Sequence, residues 1–395
     1  MPEIVTPQIR FLAACCYLPA SAEGLVQQRH LLEQACAIPI PAQVLWEGIQ
    51  RHRIFALAER VLRTHSFTAA LGQFAPALAA RARQGQLDSL TLFGESLQLS
   101  ALFSKHGIEH RFLKGPILSQ KIYGNPGLRR SKDLDLQVRP QDIAAAVRVL
   151  QAAHWEPTGS AERWEQSHLY RWIAERRLRH FEFVHRQTQS SVELHWRMEP
   201  AHAPKLDELW WAHWPAAGSP LSAAEALHLC LHGASHAWNR LKWIGDLQAI
   251  FDRNPALWTE TRALSKELDL ELIVAQAILL LQILFQAEPD ACARAILASQ
   301  PCAPQLAKFA LHSMQLKSAR LYESPAGIMA YAGYLLKANQ RLPWRARLGN
   351  LLGRCLIDDL DLGKWNGHWA TLPAIPFIRA SQLLSRSRSK RSPEP

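Results

Sequence analysis

The chain has 395 residues, 48% hydrophobic and 20% charged, a balance that excludes fibrous and natively unfolded classes and allows two or three domains with full cores. Its formal net charge of +11 admits an RNA or other acidic partner, but the cations are scattered, no RNA-binding motif is visible, and a nucleotide cleft also needs cations. Seven cysteines without a Cys-x-x-Cys pair exclude a zinc signature of that kind and an obvious disulfide framework, and fit a reducing cytoplasm.

Phe11 to Ala22, FLAACCYLPASA, imitates the apolar region of a secretory signal, yet Glu3 precedes it and only Arg10 is basic, so a cytoplasmic protein is expected. Residues 1–95 read as a helical region, with periodic Leu and Ala in QVLWEGIQRHRIFALAERVLRTH and a helix from Leu87 to Lys105 leading onward. Residues 96–200 alternate as a small α/β core. The reading there is a strand at His110–Leu113, a helix at Pro116–Tyr123, a loop over Gly124–Gly127 and a strand carrying Asp133 and Asp135. A helix at Gln141–Ala153 and strands at Leu178–His185 and Ser191–Met198 follow. Residues 201–384 read as a helical domain, and 385–395, SRSRSKRSPEP, as a disordered basic tail. The longest apolar run, Leu272–Phe285, is broken by Gln276 and Gln282 and falls short of the ~18–20 residues that span a bilayer, so it predicts a buried helix.

The chemistry concentrates between Leu113 and Val138. Asp133 and Asp135 alternate with Leu134 and Leu136, so on a strand the carboxylates leave one face and the leucines the other. Two like charges so placed repel unless a cation sits between them, and hard oxygen ligands suit Mg²⁺ held together with substrate phosphates. Lys114 and Gly115 form a turn, Pro116 opens the helix where its missing N–H is harmless, and the free helix N-terminus favours a phosphate. Arg129, Arg130 and Lys132 add cations just before the acidic strand. Asp359-Leu360-Asp361 repeats the dipeptide pattern without a glycine turn and reads as a cap or solvated loop.

Leu-Lys-Gly, a helix ending in Tyr123 and then Arg129-x-x-x-Asp-Leu-Asp-Leu resemble the uncharacterised bacterial nucleotidyltransferase family of the polymerase-β-like superfamily. The resemblance covers roughly 101–251. It implies an α+β fold, a small mixed-sheet nucleotidyltransferase core flanked by helical regions. It also implies a third carboxylate on a later strand, which Glu193 in SVELHW offers, with Glu182 in HFEFVH as its rival. The superfamily usually has Gly-Ser at the turn where this chain has Gly115-Pro116, so no hydroxyl is available there for a phosphate.

Further along, a single helix is expected to carry His232, His236, Asn239, Arg240, Trp243 and Asp246 within one polar arc. This segment resembles the family's second motif, His-x-x-x-His-x-Trp. His232 and His236 have the spacing of a metal pair, but no Glu follows His232 as in zinc proteases. The expectation is a face turned to the nucleotide, with Arg240 on phosphate and His195 near the ligand or bonded to backbone. The reaction so implied is transfer of a nucleoside monophosphate from an NTP, with Asp133, Asp135 and Glu193 holding two Mg²⁺ ions and Lys114, Gly115, Arg129, Arg130 and Arg240 binding the nucleotide. The acceptor is open among a small molecule, a sugar phosphate and a protein, with tRNA less favoured. A tRNA- or protein-modifying toxin or regulator, and a degenerate nucleotide-binding interaction module, are the alternatives. The sequence does not define the oligomeric state.

Overall fold

A computed structural model of the chain describes residues 5–164, 168, 171, 174–175, 178–198, 204–215, 219–316, 325–341 and 347. The basic tail, Cys355 and Asp359–Asp361 lie outside them. The described residues form fifteen helices and a five-stranded sheet, an α+β fold in which a small sheet is accompanied by many helices. The chain divides into two compact units, one of Met1–Phe93, Lys114–Ser131 and Leu209–Arg341, the other of Gly94–Leu113, Lys132–Glu208 and Leu342–Pro395.

The first unit is helical. Its N-terminal part holds α1 (Pro7–Ala14), α2 (Ala22–Cys36), α3 (Ala42–His52) and α4 (Phe55–Thr64), while α5 (Ala75–Lys105) contributes residues to both units. Thr6 and Ser21 start α1 and α2 by accepting the N–H of Ile9 and Gly24 on their hydroxyls. The segment Lys114–Ser131 holds α6 (Pro116–Tyr123), whose bounds are those the sequence predicts. Gly115 caps it at φ 89°, ψ −151°, a backbone region open essentially to glycine, and Gly124 ends it in the left-handed conformation. α8 (Pro204–His213) precedes α9 (Ala223–Ser235), α10 (Leu241–Arg253), α11 (Ala256–Glu267), α12 (Glu271–Phe285), α13 (Ala291–Ser299), α14 (Ala303–Gln315) and α15 (Pro325–Ala338). α12 is the expected buried helix, packed on α1 and α14, and among the described residues no helix is long and apolar enough to cross a membrane.

The single helix expected over His232–Asp246 is instead two. α9 ends at Ser235 and α10 begins at Leu241. Between them Ala237 and Trp238 have φ of 48° and 51°; the Trp238 N–H bonds to Gly233 O at 2.7 Å and the Ala237 N–H to Ala234 O at 2.9 Å. This is the Schellman helix ending, made here with alanine where glycine usually stands. The Trp238 indole is fully buried against Gly233, and that burial offsets the left-handed strain. The polar arc drawn on a continuous helix therefore does not exist as one face.

The second unit is built on the sheet, in the order β1 (His110–Phe112), β2 (Asp133–Val138), β5 (Ser191–His195), β4 (His180–His185), β3 (Trp155–Thr158). β2 and β5 are parallel and the other neighbours antiparallel. β3 was not foreseen. α7 (Ile143–Ala152) follows a 3-10 turn at Pro140–Asp142 and packs on β3. Phe112, Leu136, Leu194 and Phe181 stand in register across four strands, with Leu134 and Val192 beside them, and form the apolar face. Trp164 and Trp196 lie against Phe181, at ring distances of 5.9 and 4.7 Å. The opposite face is polar.

Gly233→Ala tests the helix break directly. A Cβ at Gly233 would stand 2.5 Å from the Trp238 ring, so the substitution should destabilise the chain by ~1–3 kcal/mol as overpacking does, read as a lower urea midpoint with an unchanged m-value.

Candidate active site

On the polar face of the sheet, Asp135 pairs in register with Glu193, and Glu193 with Glu182 one strand further out. Asp133 pairs with Ser191 on the same face, and Gln137 with His195, which in turn pairs with His180. Strand periodicity thus gathers the two aspartates, Glu193 and two histidines on adjoining strands. Asp135 is 2% exposed, and His195 Nε2 lies 3.3 Å from its Oδ1 and 3.1 Å from Glu193 Oε2. The imidazole bridges the two carboxylates. Burial pulls the His195 pKa down, but hydrogen bonds to Asp135 and Glu193 outweigh it and hold the group above its ordinary value. Glu182 takes the Ser191 hydroxyl at 3.1 Å.

The remaining sequence-predicted residues belong to the helical unit. Arg129 Nε donates to Asp246 Oδ2 at 2.6 Å, the two side chains 2% and 0% exposed, and Tyr123 Oη reaches Asp246 Oδ1 at 3.4 Å. Burial raises the Asp246 pKa against the lowering pull of Arg129 and Lys242. Lys121 Nζ donates to Glu225 Oε1 at 2.7 Å, while the other oxygen of Glu225 closes the capping box of α9 with Ser222. These two pairs pin the Lys114–Ser131 segment to α9 and α10. Lys242 donates to Arg130 O at 3.1 Å; burial lowers its pKa, and Arg129, Arg240 and Lys114 lower it further.

Arg240 stands in the linker as the residue before α10, and its Nη1 donates to Arg51 O at 2.9 Å. Burial followed by Arg53 and Arg51 brings its pKa down to about 10. It offers no side-chain cap, and His52 Nδ1 accepts the N–H of Leu241 instead, at 3.1 Å. His232 and His236 stand 4.7 Å apart by ring centroids, and Trp243 lies 4.9 and 5.4 Å from them. A family model described as uncharacterised nucleotidyltransferase matches residues 39–286. The chain belongs to this family. No curated protein and no solved structure matches it.

The family match spans the carboxylates of β2 and β5 and the His232–Asp246 segment alike. Two residues of this nucleotidyltransferase escaped the sequence reading. His180 opens β4 beside His195, their rings 4.8 Å apart, and burial pushes its pKa down to about 3. Gln137, fully buried, has both amide atoms without a hydrogen bond. The signal for His180 was the alternation of HFEFVH, which sets His180 and Glu182 on one face.

Breaking the Arg129–Asp246 pair should be severe. Asp246→Asn strands a buried guanidinium and is expected to cost ~3–5 kcal/mol in urea unfolding, whereas joint replacement by Arg129→Met and Asp246→Leu should cost clearly less. Equal losses would mean the charge pair is not what holds the segment.

His52 gives the expected pH dependence. Its folded pKa is held well below the usual value by burial and then by Arg51 and Arg240, so the folded chain keeps it neutral. Below about pH 6.5 the unfolded chain binds a proton there that the folded chain does not, and stability falls by up to ~1.4 kcal/mol per pH unit. Between about pH 7 and 5 the wild type should lose more unfolding free energy than His52→Gln, and the two slopes should coincide above about pH 7.5.

Proposed function

We propose that the protein transfers a nucleoside monophosphate from an NTP to a hydroxyl or phosphate acceptor, releasing pyrophosphate, with Asp133, Asp135 and Glu193 as ligands of two Mg²⁺ ions. The observation that carries this reading is the register of Asp135 with Glu193 on parallel strands, Asp133 sharing their face, in a chain of a nucleotidyltransferase family. The donor set fits the ion: three carboxylates supply hard oxygens, and one of them, Asp135, is nearly inaccessible to water beside another anion, an arrangement that calls for positive charge. When bound, Mg²⁺ supplies activation of the attacking oxygen and neutralisation of the leaving pyrophosphate.

The protein's own groups orient and exclude. The β2–β5 ladder fixes the carboxylates on rigid strands, and His195, bonded to both Asp135 and Glu193, holds their rotamers and lends positive charge when protonated. Lys114, the Gly115 turn, Arg130 and Arg240 carry donors and charges that suit phosphate oxygens. Arg129 acts through position, since its guanidinium holds Asp246. The acceptor is a small molecule, a sugar phosphate or a protein side chain.

Incubating the protein with α-labelled NTPs, Mg²⁺ and extract, then separating protein, RNA and small molecules, reads the reaction and its acceptor. Asp135→Ala and Glu193→Gln should each lower transfer by several kcal/mol, roughly 1000-fold, with the fold retained. Glu182→Gln should stay active. An active Glu193→Gln beside a dead Glu182→Gln would move the third ligand to β4.

A further inference from the structure

We propose that His180, Glu193 and His195 form a mixed imidazole–carboxylate site for a divalent transition-metal ion of the Zn²⁺ or Co²⁺ class. The inference goes beyond the preceding reading, whose metal is Mg²⁺ on the carboxylates, and shares Glu193 with it. One donor atom from each residue lies within 4.8 Å of the others. The sheet register makes this no accident of flexible side chains, because His180 pairs directly with His195 and Glu193 precedes His195 by two on the same face.

The spacing suits one ion. Two ligands held at ~2.1 Å by a common ion stand ~3.0–3.4 Å apart, and His195 Nε2 lies 3.1 Å from Glu193 Oε2 and 3.3 Å from Asp135 Oδ1. His180 completes the set, with its donor atom within 4.8 Å of the other two. Its Nδ1 is buried and makes no hydrogen bond, as befits a nitrogen kept for another partner. Gln137, the register partner of His195, adds a buried amide whose oxygen and nitrogen are both unbonded, and such a group orients ligands or water around an ion. Imidazole selects this class of metal, whereas Mg²⁺ favours carboxylate, carbonyl and water.

The test uses the full chain without an affinity tag, stripped of metal by a chelator and titrated with Co²⁺. Visible absorption of nitrogen-ligated Co²⁺ should saturate at one ion per chain and persist in excess Mg²⁺. His180→Ala and Glu193→Gln should each weaken Co²⁺ binding by about tenfold or more with unchanged circular dichroism, while His232→Ala should leave it intact. X-ray absorption on the Zn²⁺-loaded wild type, which needs no variant to fold, should count two imidazoles. Absence of Co²⁺ binding, wild-type affinity in His180→Ala, or fewer than two imidazoles overturns the proposal. A chain that binds Co²⁺ here and transfers no nucleotide sinks the preceding reading alone; one that transfers with Mg²⁺ and holds no Co²⁺ sinks this one alone.

Discussion

Asp135 is withdrawn from water beside Glu193, and two anions on one sheet face are tolerated only where positive charge or hydrogen-bond donors answer them. In the chain itself that answer is His195, seated between them with its pKa raised. The rest of the second unit follows from keeping these groups in place. Leu134, Leu136, Val192 and Leu194 are wholly buried on the opposite face, so a slip of one residue along β2 or β5 would bring leucines to the polar side and carboxylates into the core. The cost of that slip fixes the register, and the register fixes the site.

The helical unit solves a related problem by other means. Lys114–Ser131 is a short excursion of the chain whose own helix has only eight residues, too few to stand alone. Two charge pairs hold it, Lys121 to Glu225 and Arg129 to Asp246, with partners more than a hundred residues away. Buried pairs are weak sources of net stability but severe when broken, so they act here as specifiers of position more than as glue. The same segment supplies the Gly115 turn with a backbone conformation that side chains forbid.

How far the sequence could be read depended on whether the deciding interaction was local. Pro116, Gly115 and Gly124 punctuate α6 at both ends, and the alternation in DLDLQV declares β2, so both were legible. β3 was not, being four residues with Pro157 among them, as an edge strand permits. The break after Ser235 was hidden because its left-handed residues are Ala237 and Trp238, with no glycine to mark them; only the packing of the indole on Gly233 explains them. The carboxylates of β2 and β5 were visible as types, but that Glu193, not Glu182, stands beside Asp135 is a matter of strand order, which no local pattern carries.

Strand order also bears on what the site recruits. In the observed order Glu193 is the neighbour of Asp135 and His195 the neighbour of Gln137, with Glu182 and His180 one strand further out. Each carboxylate of the Asp135–Glu193 pair therefore meets His195, and His180 stands behind that ring. An imidazole in that position is the charge partner of both carboxylates, and beside it the Nδ1 of His180 and the amide of Gln137 make no hydrogen bond. Buried polar atoms without partners are costly, roughly 1–3 kcal/mol each, and this fold keeps three of them along one row of its polar face.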